Sequence, residues 1–344
     1  MSLTTRITLL RTSNSKEEAE DIFGNSLGVL FTEQDITAQH GDNDHTSLLY
    51  TSPHLPKPIN IALPDPEDED DRNLQSHYLW NSSLLLAELI EAGSLGLEYE
   101  VGVPTVYERG VKYEHEDENG NKGVERVAFS ISHFNITNLH TLELGSGTAL
   151  PSIVASLLGA QSITATDYPS TTILSTLKSN IAVNCLVENS PLGTLARAQV
   201  SGHAWGDISD ENDFARKYRG KFDRLFVCDC LWMPWQHWNL QKSIAHFLKP
   251  LPSPTHTGGK SREEACAWVV GGFHTGRANV RSFFDEVGLA RHGLEVERIW
   301  ERDCDGVERA WVGDRGAKDL TVLKRWLVIG VLRRKASEVG DGVS

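Results

Sequence analysis

Apolar runs and helical spacings alternate through the middle of the chain. Strand-like runs occupy 141–144, 162–167, 198–200, 222–229 and 265–271. Between them lie stretches with apolar residues three and four apart, the spacing of a helix with one buried face. One covers 150–158, with Ile153, Val154, Leu157 and Leu158 turned inward; another covers 171–184. A longer helix is predicted over 76–92, where Leu79, Leu84, Leu85, Leu86, Leu89 and Ile90 make a broad apolar stripe that Gly93 should stop. A last helix is expected over 279–287, and two final strands over 294–302 and 323–333, separated by a polar insertion near 303–320. Strands alternating with helices predict an α/β fold.

Elsewhere the pattern is weaker. A short helix at 17–23 and strands at 46–50 and 59–62 suggest an N-terminal extension with a small hairpin. Residues 64–72 read as an acidic, proline-containing linker, so the expected divisions are 1–72, a main domain at 73–334 and a disordered tail at 335–344. The polar stretch 113–123, with Asn119-Gly120, predicts a surface insertion within about 100–128, and 251–264 a loop.

Chemistry concentrates at 141–151, where a strand runs into Gly145-Ser146-Gly147 and then into a helix. The next strand ends on Asp167, 20 positions after Gly147. Strand, glycine turn, helix and strand ending in a carboxylate make a nucleotide-binding βαβ unit. Gly145 and Gly147 let the backbone approach a ligand, and Asp167 can accept hydrogen bonds from two ribose hydroxyls. A dinucleotide fingerprint calls for a third glycine at position 150, but the chain has Ala149 and Leu150. Glu143, inside the first strand, would repel a pyrophosphate and suits a ligand with a cationic centre, such as S-adenosyl-L-methionine.

The string from Leu142 to Pro151 resembles motif I of class I methyltransferases. With Leu79-Trp80-Asn81-Ser82, the stretch from Gly159-Ala160-Gln161-Ser162 to Thr166-Asp167-Tyr168-Pro169, and Trp205-Gly206, the resemblance extends over about residues 75–300. It points to the lysine methyltransferase-like family 16 among the seven-strand enzymes, in particular a fungal group of nicotinamide N-methyltransferase-like and elongation-factor methyltransferases. The resemblance implies a Rossmann-like seven-stranded sheet with an antiparallel last strand and helices on both faces. It implies S-adenosyl-L-methionine as cofactor, held by Glu143, Gly145, Ser146, Gly147 and Asp167. Trp80 would lie beside its methionine part, Trp205 against the adenine, and the Cys228 backbone in the pocket. Trp80 and Trp205 are each also readable as plain core or covering residues. Asn180 and Asn184, one turn apart, match the family's helix after the ribose acid; Asn184 reads as a helix end or surface residue rather than a ligand.

The acceptor side is expected just after the strand ending at Asp229, since α/β sheets bind ligands beyond the carboxyl ends of their strands. The family carries Asp-x-x-Tyr or Asp-x-x-Phe there; this chain has Asp229-Cys230-Leu231-Trp232, a departure that bears on substrate more than on reaction type. Asp229 and Trp232 are the catalytic candidates: Asp229 to orient an amine or to order the cofactor side, Trp232 to help desolvate the acceptor. Trp232, Trp235 and Trp238, spaced by three, would share one face if helical, able to hold a cationic amine or pyridine or simply to pack on the sheet. His274, after the strand at 265–271, could face the acceptor, but a loop histidine is usually solvated or locally hydrogen-bonded, so it is left out of the candidates.

Composition narrows the partners. Of 344 residues, 40% are hydrophobic, enough for a substantial core, and the net charge of −14 argues against a nucleic-acid footprint. Six acids between 65 and 71 read as a solvated loop. The five cysteines lack paired metal spacing and suit free buried thiols in a reducing compartment; Cys228 and Cys230, two apart on a strand, would point the same way. No apolar run approaches the ~20 residues of a membrane helix, and the N-terminus lacks a signal peptide's apolar core, so a cytoplasmic protein, free of membrane and monomeric, is expected. No nucleophile triad, metal cluster or P-loop is visible. The expected activity is N-methylation of a protein lysine or N-terminal amine, the acceptor resembling a translation elongation factor. A small amine or pyridine such as nicotinamide is the alternative substrate, and a non-catalytic cofactor-binding partner protein the alternative class.

Overall fold

The computed structural model describes residues 2–10, 38–41, 47–64, 69, 74–97, 115–116, 122–123, 130–251, 264–316 and 320–336. The predicted helix at 17–23, most of the acidic run at 65–71 and the tail beyond 336 lie outside them. In chain order the strands are β1 (Ile7–Leu10), β2 (Gln39–His40), β3 (Ser47–Tyr50), β4 (Ile59–Ala62), β5 (Leu79–Trp80), β6 (His115–Glu116), β7 (Lys122–Gly123), β8 (His140–Leu144), β9 (Ser162–Asp167), β10 (Arg197–Gly202), β11 (Arg224–Cys228), β12 (Cys266–Gly272), β13 (Leu294–Asp303), β14 (Glu308–Ala310) and β15 (Trp326–Arg334). The helices are α1 (Asn81–Leu95), α2 (Leu150–Leu157), α3 (Thr171–Asn184), α4 (Asp213–Tyr218), α5 (His237–Phe247), α6 (Arg277–Phe283), α7 (Glu286–Arg291) and α8 (Leu320–Arg325).

An eight-stranded sheet in the order β10-β9-β8-β11-β12-β15-β13-β14 forms the centre. The strands from β10 to β12 run parallel, and β15 is antiparallel to both of its neighbours. Seven of the strands make up the expected seven-stranded sheet, its last strand in the chain, β15, antiparallel; the eighth, β14, comes from the predicted polar insertion and lengthens the edge beyond β13. β11 and β12 are buried along their whole length because helices cover both faces, which is why they read as continuous apolar runs rather than alternating ones. The predicted last helix at 279–287 is instead two short helices, α6 and α7, with Asp285 capping the second through Gly288 N–H.

Helix α1 departs from prediction at both ends. Leu79 and Trp80 are extended and pair with β2, so the helix begins at Asn81. Gly93 does not stop it. A side chain there would meet the Ile131 carbonyl oxygen and Phe134 at 2.6 Å, so the glycine permits a close crossing, and the helix ends at Gly96 in the left-handed conformation. Every residue from Asn81 to Gly93 is buried, the polar ones included, with Glu88 and Glu91 paired to arginines from outside the helix.

The N-terminal strands are packed into this body. β1, β3 and β4 form an antiparallel sheet, and β4 lies against α3. Asn180 accepts from Ala62 N–H (2.8 Å) and donates to its carbonyl (2.9 Å); Asn184 does the same for Asn60 at 2.9 and 2.6 Å. Asn184 is therefore the end of its helix but is only 3% exposed. Arg6 reaches α1, pairing with Glu88 at 3.0 Å and Glu91 at 3.4 Å, while Arg302 of β13 pairs with Glu88 at 2.7 Å. Among the described residues no helix is long and apolar enough to cross a membrane.

Candidate active site

The site lies beyond the carboxyl ends of β8, β9 and β11, where the glycine turn, the ribose-type acid and the segment after β11 converge. β8 ends at Leu144, and the chain turns through Gly145 (φ 70°), Gly147 (φ 50°) and Ala149 (φ 64°) into α2. Ser146 ties the turn to β9, its N–H and hydroxyl both donating to the Thr166 carbonyl at 2.9 and 3.1 Å. A side chain at Gly145 would sit 2.7 Å from Cys230 Sγ and 3.0 Å from the Trp205 ring, in addition to its positive φ. Only glycine fits there.

Asp167 closes the turn from the β9 side. Its two carboxylate oxygens accept from Gly147 N–H and Tyr168 N–H, each at 2.7 Å. Burial raises its pKa to about 6, against the pull of those two N–H groups. Each oxygen keeps a further lone pair, so the pre-aligned carboxylate can still receive a diol.

One pocket is lined by Trp80, Gly145, Ser146, Gly147, Asp167, Trp205, Cys228, Asp229 and Trp232 together. Trp80 enters from strand β5 rather than from a helix, held by Nε1–H donating to the Gln75 carbonyl at 3.1 Å. Trp205 faces the Gly145 backbone, and Gly206 behind it (φ 83°) is fixed by Ser243 Oγ and Lys242. Tyr78, His203, Ala204, Gln236 and Asn239 are among the other lining residues and were not singled out from the sequence, whereas Cys230 and Met233 belong to the segment after Asp229 where the acceptor side was expected.

Glu143 stands apart from this group. It is fully buried and does not line the pocket; its carboxylate accepts from Ser152 N–H at 3.2 Å and Ser152 Oγ at 2.5 Å. It thus caps the first turn of α2, whose Ala149 has no capping side chain. Burial pushes its pKa up to about 8, with the Asp167 charge adding to the effect. Burial favours the neutral carboxyl, which weakens both the repulsion of a pyrophosphate and the attraction of a sulfonium expected from the sequence. From outside the pocket lining Glu143 holds the turn through Ser152.

The acceptor half begins where β11 ends. Asp229 has φ 53°, a left-handed conformation rare for a residue with a side chain. This swing breaks the strand's alternation. Cys228 packs with Phe226 in the core on the α1 side, whereas Cys230 packs with Val227 in the core on the α5 side, so the two thiols do not point the same way. Asp229 is 7% exposed, and burial raises its pKa, opposed by His274 and by Gly272 N–H. Trp232 lies in a turn and meets Trp235 edge-on at 6.4 Å. Trp235 sits in a 3-10 turn and is 71% exposed, and Trp238 packs on His292, so the three tryptophans do not form one helical face.

His274, set aside in the sequence as a loop histidine, stands beside Asp229, although it does not line the pocket itself. Its ring stacks on Trp80 at 4.7 Å, and its Nδ1 is 3.9 Å from Asp229 Oδ1. It follows the carboxyl end of β12, so the rule that singled out the residues after Cys228 applied here too.

A model of the lysine methyltransferase family matches residues 68–266, more than half of the chain. The chain therefore belongs to the lysine methyltransferase family. A protein N-terminal and lysine N-methyltransferase EFM7 of Gibberella zeae is 30% identical over 172 residues, covering 48% of this chain and 60% of that protein. Its counterpart in Cryptococcus neoformans var. neoformans serotype D is 25% identical over 242 residues, covering 69% and 63%. The chain thus spans about three fifths of the length of these relatives. The crystal structure of a ribosomal protein L11 methylase from Lactobacillus delbrueckii subsp. bulgaricus overlaps at a TM-score of 0.35 and 16% identity, over 58% of this chain and 72% of that one, a loose likeness.

Proposed function

We propose that this chain is an S-adenosyl-L-methionine-dependent N-methyltransferase whose acceptor is a protein amine, a lysine or an N-terminus. The observation that carries the reading is one continuous pocket. It joins a glycine turn that excludes any side chain to a ribose-type carboxylate at one end, and to a buried acid and a tryptophan at the other. The residues present fit the cofactor. Gly145 and Gly147 leave room for a close ligand, Asp167 suits the ribose hydroxyls, Trp205 offers a flat face to the adenine, and Trp80 covers the methionine end. When bound, the cofactor would supply a methyl group activated on a sulfonium; the protein's part is to bind, orient and dehydrate. Asp229 would orient the acceptor nitrogen, and Trp232 would shield it from water. The exposed Trp235 beside Trp232 and the protein methyltransferase names of the relatives support a macromolecular acceptor, with an elongation factor the class suggested by resemblance.

The test uses labelled S-adenosyl-L-methionine, the purified protein and a fungal cell extract, with an Asp167→Ala control. Label in a protein band that is absent from the control supports the reading. Label confined to small molecules would replace the protein acceptor by an amine or pyridine. A protein that binds S-adenosylhomocysteine yet labels nothing would point to a non-catalytic role.

A further inference from the structure

Methylation of an ammonium group requires that it first lose a proton, and the pocket must give that proton somewhere to go. Asp229 is the acid that faces the acceptor half, yet it is 7% exposed and has little contact with water of its own. Behind it stands His274, whose side chain is 17% exposed. His274 Nδ1 is buried, has no hydrogen-bond partner and lies 3.9 Å from Asp229 Oδ1. A buried polar atom without a partner is rare and costly, which calls for an account of its place. The gap between the two side chains is kept open by Gly272. A side chain there would sit 2.9 Å from His274 Nδ1 and 3.7 Å from Asp229 Oδ2, while the Gly272 N–H donates to Asp229 Oδ1 at 3.2 Å. Trp80 fixes the ring from the other side by stacking, 19° from parallel. The left-handed backbone at Asp229 turns its carboxylate towards the same point.

Ser82 also bears on the Asp229 carboxylate, while the other titratable groups around the pair are held elsewhere. Cys228 and Cys230 flank Asp229, and burial pushes both thiols well up, so they stay neutral. Asp167 lies across the pocket with its oxygens on Gly147 and Tyr168, and Glu143 is bonded to Ser152. Tyr78 is beyond Trp80, in contact with His77. Arg277, the nearest downstream cation on the following helix, is held by Glu301 at 2.6 and 3.0 Å.

We infer that Asp229 and His274 form a relay that takes the proton from the acceptor ammonium and passes it to solvent, His274 acting through Asp229 as a positioning residue. The inference rests on the N-methyl transfer reading above. An acceptor arriving as –NH3+ sets one N–H on Asp229. Its proton moves onto the pair, between Asp229 Oδ1 and His274 Nδ1, and the nitrogen keeps the electron pair as –NH2. The ring then releases a proton from Nε2 to water and is left as the Nδ1–H tautomer, which must return to the Nε2–H form by proton exchange with water before the next turnover; over the full cycle the sum is an amine plus one proton in solution. The 3.9 Å gap must shorten to hydrogen-bonding distance as the acceptor enters, an approach for which Gly272 leaves space.

The test compares wild type with His274→Asn, which keeps a donor near the Nδ1 position but cannot titrate. Three quantities are measured: S-adenosylhomocysteine affinity, the pH profile of label transfer to the acceptor fraction of the extract, and the titration of the 13C-labelled Asp229 carboxyl, assigned by its loss in Asp229→Asn. The relay predicts unchanged affinity and transfer reduced on the order of 100-fold at neutral pH. It predicts recovery as pH rises and the acceptor arrives already deprotonated. It also predicts that Asp229 titrates at higher pH in the variant, because the His274 ring that holds its pKa down is gone. A loss equal at every pH, or an unmoved Asp229 titration, overturns the relay. Weakened S-adenosylhomocysteine binding with a normal pH profile would make His274 only a prop for Trp80. If wild type binds S-adenosylhomocysteine but transfers no label, the N-methylation reading falls and the relay with it.

Discussion

Replacing Glu143 by Gln should change how the protein's stability depends on pH. In the native state the Glu143 carboxyl holds its proton up to about pH 8, whereas an ordinary glutamate releases it near 4.5. Unfolding between those values therefore releases a proton, and rising pH favours the unfolded chain. The contribution is complete below pH 4.5 and is lost as pH rises through the native value near 8. Each unit of that window is worth about 1.4 kcal/mol, so the full span amounts to roughly 5 kcal/mol. Gln cannot ionise, but its carbonyl can still accept from Ser152 N–H and its amide can donate to Ser152 Oγ. The variant should match or fall slightly below wild type at pH 4.5 and exceed it by several kcal/mol at pH 9. Urea unfolding at pH 4.5, 7 and 9, read as the difference between the two proteins, cancels the other titrating groups. A difference that stays flat across that range would refute the assignment of Glu143 as a buried, protonated cap of α2.

Three further substitutions probe the site and its support. Gly145→Ala places a methyl group 2.7 Å from Cys230 Sγ at a positive φ, and should abolish S-adenosylhomocysteine binding or cost on the order of 2–3 kcal/mol in thermal unfolding. Neither effect would mean that the turn opens freely. Trp232→Ala should leave S-adenosylhomocysteine affinity within about twofold while reducing label transfer at least tenfold; normal transfer would return Trp232 to a surface role. Asn184→Ala leaves the Asn60 N–H and carbonyl without their partner and should cost about 1–3 kcal/mol in urea unfolding. No change would show that β4 is held by its apolar contacts alone.

Much of the sheet and half of the site could be read from the residues because the signals were local. The strand into Gly145-Ser146-Gly147, the acid ending β9 and the helix over 171–184 each follow from neighbours a few positions apart, and α3 spans Thr171–Asn184 as expected. What escaped was set by distant contacts. Trp80 is a strand residue only because Gln39 pairs with it. Gly93 stays helical only because another segment crosses it. Glu143 alternates in strand β8 between two faces that the sequence does not distinguish, and only the fold shows that its face meets α2 rather than the ligand. Cys228 and Cys230 part because of one left-handed residue between them. His274 could face the acceptor from its place after β12, but only Gly272 and Trp80 show it set beside Asp229. The Arg6–Glu88–Arg302 network, joining residues far apart in the chain, had no local signature either.

Calorimetry with S-adenosylhomocysteine decides whether the pocket takes S-adenosyl-L-methionine with its ribose on Asp167. Wild type should bind one equivalent. Asp167→Ala, shown to be folded by its thermal melt, should lose at least 100-fold in affinity, since two hydrogen bonds to a charged group are worth about 3 kcal/mol or more together. Equal affinity in a folded Asp167→Ala protein, or no binding by wild type, would contradict the account.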